Sequence, residues 1–270
     1  MQGYFRGLIF DGFVPVFSGL LGFLPTVVIL LTIVSFFKST GWILGFGCTT
    51  LAVSAAKKPN SKTLRFLSFI PCSAKLPVLM FLCGVVLGWS VFGVVFLYLL
   101  SVFLGLVFGG LWVLERPAFE HLTFVEFISS LARNVLSFLN RISVGLFAAV
   151  TALYTLEYFG LLLPVMQVFA PLFAPIGLAD ARIVATLIFG LVAKEMIVGA
   201  IMTFGVAALG LTHASAVSLL IFAALYTPCV PALSAIKKKI GWRGMFKVAS
   251  FNFAVAYGLA FAVYTFLTLI

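Results

Sequence analysis

Tyr226-Thr227-Pro228-Cys229-Val230-Pro231 breaks an apolar run at residues 214–236 with two prolines, a thiol and two hydroxyls. Proline removes a backbone donor from a helix. In hydrocarbon the freed carbonyls and N–H groups find no water, so such a stretch must be buried in protein or line a cavity. Pro71-Cys72-Ser73-Ala74-Lys75-Leu76-Pro77 repeats the pattern, and Gly45-Phe46-Gly47-Cys48 carries a third thiol on a glycine break. Three thiols on three breaks suggest a polar path through a membrane with a thiophilic metal ion as cargo.

The rest of the chain fits a membrane. It has 270 residues, 63% apolar and 9% charged, with a mean hydropathy of +1.26. A soluble domain carries about 25% charged residues. A transmembrane barrel would alternate apolar and polar residues, whereas the apolar runs here are continuous. The fold class expected is an all-α polytopic membrane protein with about seven or eight transmembrane or re-entrant segments. It would form one permease domain over 1–270: a first half at 8–114, an interfacial helix at 115–141 and a second half at 142–270.

Residues 9–37 supply a span, 43–56 are apolar but too short to cross, and 63–89 are cut by Pro71, Lys75 and Pro77. Residues 90–114 read as an uncharged span. In 115–141, apolar positions 124, 127, 128, 131, 135 and 138 recur at helical spacing among charges, which predicts an amphipathic helix at the interface. A span at 142–163 is followed by a connector rich in proline, with Pro164, Pro171 and Pro175. Residues 181–205 read as a span carrying Lys194-Glu195 near its middle, and 245–270 as the last span.

The net charge of +10 gathers at Lys57, Lys58, Lys62 and Arg65, and again at Lys237, Lys238, Lys239, Arg243 and Lys247. Short basic loops beside spans report cytoplasmic orientation and contact with anionic lipid, and no module is present to bind nucleic acid. The N-terminus shows no cleavable signal, so the first apolar segment is expected to stay. The four cysteines show neither a disulfide framework nor a zinc spacing. Cys83, inside an apolar run, reads as filler.

The breaks echo one another. Cys48 leads through Leu51–Ala56 to Lys57 and Lys58; Cys229 leads through Ala232–Ile236 to Lys237 and Lys238. The separation from thiol to lysine is about 14 Å of helix, half a bilayer. Paired broken helices in transporters have this form. Whether the two basic ends share a face is left open by the sequence.

Cys48, Cys72 and Cys229 are the candidate metal ligands, since thiolates suit late first-row metals. Ser73, Tyr226 and Thr227 would add hydroxyls. Lys75, Lys194 and Glu195 are expensive inside a bilayer and mark a pathway, or else a structural ion pair of Glu195 with a lysine such as Lys75. No phosphate loop, zinc-protease or nucleophile-elbow motif is present, so no enzyme is expected.

Together Gly45-Phe46-Gly47-Cys48, Pro71-Cys72-Ser73-Ala74-Lys75-Leu76-Pro77, Ala193-Lys194-Glu195, Tyr226-Thr227-Pro228-Cys229, Ile236-Lys237-Lys238 and Gly241-Trp242 resemble the membrane part of the ferrous iron transport protein B (FeoB) family with its Gate motifs. The resemblance implies Fe²⁺ as the transported ion, no permanent cofactor and a multi-pass cytoplasmic membrane location. Cys48, Cys72 and Cys229 would occupy the family's pore-cysteine positions. The family carries an N-terminal GTP-binding domain, so a separate GTPase or small accessory protein is the expected partner; a homo-oligomer is left open. Cys48 is followed by Thr49-Thr50-Leu51 where the family has Asn-Val-Pro, so Cys48 is the thiol expected to be idle if one is. The competing expectations are a Gate transporter for an organic solute such as a nucleoside, and a scaffold that moves nothing.

Overall fold

The computed structural model describes residues 45, 48–56, 60–72, 74–88, 91–109, 151, 154–156, 158–192, 194, 196–204 and 209–269. The expected first span at 9–37, the amphipathic helix at 115–141, Ser73 and Glu195 lie outside them. Every regular element among the described residues is helical.

Two short helices follow the first break. Helix α1 (Thr49–Ala55) starts at Cys48, whose backbone is extended at φ −150 and ψ 120, and whose carbonyl accepts the Ala52 N–H at 3.1 Å. Helix α2 (Ser61–Phe69) is capped by Asn60, whose side chain accepts the Thr63 N–H at 2.8 Å. It ends at Ile70 with ψ 124, because the residue before Pro71 is driven out of the helical region.

After the Pro71–Ala74 break, α3 (Lys75–Phe81) runs into a π-helical turn at Leu82–Val86. Cys83 in that turn is buried among apolar neighbours, as filler would be. Helix α4 (Val91–Gly109) is the clean span expected from 90–114. Phe92, Phe96, Leu99, Phe103 and Val107 are exposed along one face, while Val94, Leu97 and Ser101 are buried on another. A helix apolar on its outer face as well as its inner one suits lipid.

The proline-rich stretch is not a connector. It forms α5 (Leu162–Phe173), continued by a 3₁₀ turn at Ala174–Ile176. Pro164 falls in the first turn, where backbone donors have no partner anyway, and Pro175 opens the 3₁₀ turn. Pro171 stands inside the helix, near its end. The buried residues Leu162, Met166, Ala170 and Phe173 keep helical spacing through all of them. The turn closes on Gly177 (φ 74), where a β-carbon would collide with the Tyr264 ring.

The expected span at 181–205 is also divided. Helix α6 (Ala181–Val192) stops, Lys194 occupies a turn, and α7 (Met196–Phe204) resumes. Helix α8 (His213–Leu225), capped by the Thr212 hydroxyl, is buried at every position from Ser215 to Leu225 and forms the centre of the larger core. Helix α9 (Val230–Leu269) bends at Gly241 (φ 72, ψ 179).

Among the described residues two stretches, Phe92–Gly109 and His213–Leu269, are long and apolar enough to cross a membrane. The pair Leu162–Ile176 and Ala181–Val192, bent by 96°, makes a third if counted as one broken span. A smaller core joins Ala52 and Val53 of α1, Leu64, Phe66 and Leu67 of α2, and Ala235, Ile236 and Val248 of α9. The Lys239 ammonium donates to the Ala56 carbonyl at 2.9 Å. Thus the C-terminal end of α1 packs against the first part of α9.

Candidate functional site at the proline break

The break after α8 follows from two prolines. In an unbroken helix the Ala224 carbonyl would accept the N–H of residue 228, and the Thr227 carbonyl that of residue 231. Both residues are proline, so neither donor exists. Tyr226 turns extended (φ −64, ψ 171) and the helix ends.

Lysines supply the two missing donors. Lys75 Nζ donates to the Ala224 carbonyl at 2.7 Å, and Lys194 Nζ to the Thr227 carbonyl at 2.8 Å. Both are deep inside, only 4% and 3% exposed. They reach the break from different places, Lys75 from the first position of α3 and Lys194 from the joint between α6 and α7. A cation at a helix C-terminus is favourable, which sets the sign of the Lys75 contact. At the N-terminus of α3 the same charge is unfavourable, so α3 propensity does not explain its position.

Aromatic and hydroxyl groups close the site. The Lys194 ammonium sits 3.0 Å from the centre of the Tyr226 ring, a cation–π contact. Tyr226 stacks on Phe222 at 5.2 Å and donates its hydroxyl to the Leu187 carbonyl at 3.2 Å. It fits because residue 190 is glycine: a β-carbon there would run into the Tyr226 hydroxyl and Ile197. Thr227 donates its hydroxyl to the Ala249 carbonyl of α9 at 3.2 Å.

Cysteine backbones adjoin this pair. Cys229 precedes α9 and its carbonyl accepts the Leu233 N–H at 2.9 Å, as Cys48 does for α1. Cys48 and Cys229 thus each stand one residue before a helix. The Cys72 carbonyl accepts the Lys75 N–H at 2.9 Å, so Lys75 ties the Cys72 break to the end of α8. The Tyr98 hydroxyl lies 3.5 Å from the Cys72 carbonyl, a long contact. Among the described residues no three His, Cys, Asp or Glu side chains group as a metal site.

The structure brings Lys75, Lys194, Tyr226 and Thr227 together at the break that bears Cys229, with Cys72 joined to it through the Lys75 N–H, while Cys48 precedes α1. Lys75 donates to a carbonyl, and Glu195, the ion-pair partner the sequence offers it, lies outside the described residues. The one described carboxylate, Asp180, pairs with Arg182 at 2.7 Å in the bend before α6. Sequence reasoning missed Ala224, Leu187, Gly190 and Ala249. Ala224 had a usable signal, since it stands four residues before Pro228.

A protein family described as nucleoside recognition, the Gate family, matches residues 96–243, which span the Lys194 joint and the Thr227–Cys229 break. The Fe(2+) transporter FeoB of Methanocaldococcus jannaschii is 24% identical over 96% of this chain, and that of Staphylococcus aureus strain COL is 25% identical over 97%. A fusion of Fe(2+) transport protein A with Fe(2+) transporter FeoB in Porphyromonas gingivalis is 25% identical over 58%. The chain spans about half the length of the first two relatives, 49% in each case. No solved structure matches it. With just over half of its residues covered by that one match, the chain belongs to the Gate family.

Proposed function

We propose that this chain is a FeoB-like membrane permease domain that moves Fe²⁺ across the cytoplasmic membrane past the Cys72–Cys229 break. The observation that carries the reading is that Lys75, whose N–H bonds the Cys72 carbonyl, and Lys194 both hold carbonyls beside Cys229, so the two cysteine-bearing breaks meet. Similarity to Fe(2+) transporters over nearly the whole chain supports it.

The chemistry follows from the donor set. Thiol sulfur is a soft donor that favours Fe²⁺ over Mg²⁺ or Ca²⁺. Conduction needs binding weak enough to release. One or two thiols at a time, with hydroxyls and water completing the shell, meet that need better than a closed thiolate cage. Cys229 and Cys72 are the principal ligands in this reading and Cys48 the peripheral one. Ser73, Tyr226 and Thr227 supply hydroxyls, while Glu195 balances positive charge in the path. The expected partner is a separate GTPase or an accessory protein, the latter suggested by the fusion in Porphyromonas gingivalis. The expected span count of about seven or eight belongs to the same proposal.

The test is uptake into proteoliposomes by the purified full chain, comparing Fe²⁺, Mn²⁺, Zn²⁺ and nucleosides. Cys72→Ser and Cys229→Ser should each lower Fe²⁺ uptake about tenfold or more, the equivalent of one lost ligand at about 1.4 kcal/mol, with Cys48→Ser milder. Wild-type uptake in the triple serine variant removes thiol ligation. Nucleoside uptake indifferent to iron chelators removes the metal cargo altogether.

A further inference from the structure

Among the described residues, four buried polar side-chain atoms lack a hydrogen-bond partner: Arg65 Nε, Ser101 Oγ, and both Nδ2 and Oδ1 of Asn252. Arg65 has an evident occupation, its guanidinium lying 4.2 Å from the centre of the Phe251 ring. Ser101 and Asn252 do not. They are 1% and 0% exposed, in the middle of two long apolar helices, where an unpaired amide or hydroxyl is costly.

The Ser101 orphan is unusual even within this chain. Helical hydroxyls normally bond the carbonyl four residues back. Ser54, Ser68, Thr155 and Thr186 all do so, at 2.6–2.8 Å. Ser101 stands in the same setting and does not.

Both orphans are one turn along a helix from a residue that contacts a break. Tyr98, three residues before Ser101 on α4, approaches the Cys72 carbonyl. Ala249, three residues before Asn252 on α9, accepts the Thr227 hydroxyl. Residues three apart on a helix are surface neighbours. Each unpaired group thus stands one helical turn along from a residue that touches a break, on a helix that braces it.

We propose that Ser101 and Asn252 are lining residues of the transport path that bind water. An amide with both atoms free suits water, which donates to Oδ1 and accepts from Nδ2. A permanent protein partner is absent because the occupant is exchangeable. During passage the same oxygens receive hydrogen bonds from the water shell of the ion, so partial dehydration at the thiols is matched by polar contact beside them. This rests on the transport reading above, but its main test needs no iron.

Ser101→Cys and Asn252→Cys are made in the full chain, reconstituted, and treated with 2-aminoethyl methanethiosulfonate, with modified positions read by mass spectrometry. Ala256→Cys, one turn beyond Asn252 at a fully buried apolar position, is the control. Water access predicts that both new thiols react about tenfold or more faster than the control, since only a solvated thiol ionises and attacks. Rates equal to the control overturn the proposal. Protection of the new thiols by Fe²⁺ supports it further; fast reaction without protection keeps the water lining and counts against iron as cargo.

Asn252→Leu gives a second readout. Replacing an unpaired amide by an apolar group is neutral or stabilising for folding. The variant should keep its thermal stability while Fe²⁺ uptake falls about tenfold, a split that a structural residue does not produce. Loss of stability, or unchanged uptake, overturns the assignment of Asn252.

Discussion

Replacing Lys75 by methionine sets two large effects against each other. Removing a lysine from the middle of a membrane protein relieves about 2.5–3.5 kcal/mol on insertion scales. It also orphans the Ala224 carbonyl, which costs about 1–3 kcal/mol. The net change in stability is near zero, and the single variant decides nothing. Pro228→Ala resolves it, because alanine restores the N–H that an unbroken helix would offer to Ala224. In that background Lys75→Met leaves no orphan. A coupling of about 1–3 kcal/mol is therefore expected in the double-mutant cycle, with Lys75→Met better tolerated beside Pro228→Ala. Chemical unfolding in detergent micelles measures all four corners. The companion cycle, Lys194→Met with Pro231→Ala, should behave alike at the Thr227 carbonyl. Additivity within about 0.5 kcal/mol in both cycles would refute the idea that the lysines replace the missing proline donors.

Two other sites give simpler outcomes. Gly190→Ala places a methyl against the Tyr226 hydroxyl and Ile197, so overpacking should cost about 1–3 kcal/mol and lower uptake. Adding Tyr226→Phe should recover part of that loss in the same unfolding measurement; no recovery would mean the hydroxyl is not the obstacle. Lys239→Met removes a bond to the Ala56 carbonyl that is exposed to solvent, and should change unfolding free energy by less than about 0.5 kcal/mol. A larger loss would show that the paired half-helices depend on this one contact.

The sequence revealed the breaks better than what repairs them. Pro71, Pro228 and Pro231 act locally, so their effect on the backbone is readable within four residues. Partners for the freed carbonyls come from 149 and 33 residues away, and no local pattern names them. Lys75 and Lys194 stand out in the sequence by cost alone, and cost does not name the carbonyls they reach. The expectation at α5 fails for the opposite reason. Three prolines suggest a connector, but two of them sit where a helix or 3₁₀ turn tolerates proline, and the buried spacing of Leu162, Met166, Ala170 and Phe173 is the stronger signal. At Lys194 the apolar flanks on both sides hide a turn whose lysine lies over the Tyr226 ring.

The two lysines also bear on how the break can move. Were the carbonyls of Ala224 and Thr227 unsatisfied, the end of α8 would need a bound ion or water to be stable. With an ammonium on each, the break is complete without cargo. Its two braces, however, come from elements distant in sequence: α3 through Lys75 and the α6–α7 joint through Lys194. Any shift of α8 relative to either element must release an ammonium from its carbonyl. A charged hydrogen bond is worth about 1.5–3 kcal/mol, a tenfold to hundredfold bias in an equilibrium. That is enough to hold one arrangement as the resting state, and small enough for new hydrogen bonds in another arrangement to offset it. Stability of the break and its readiness to rearrange thus rest on the same two bonds.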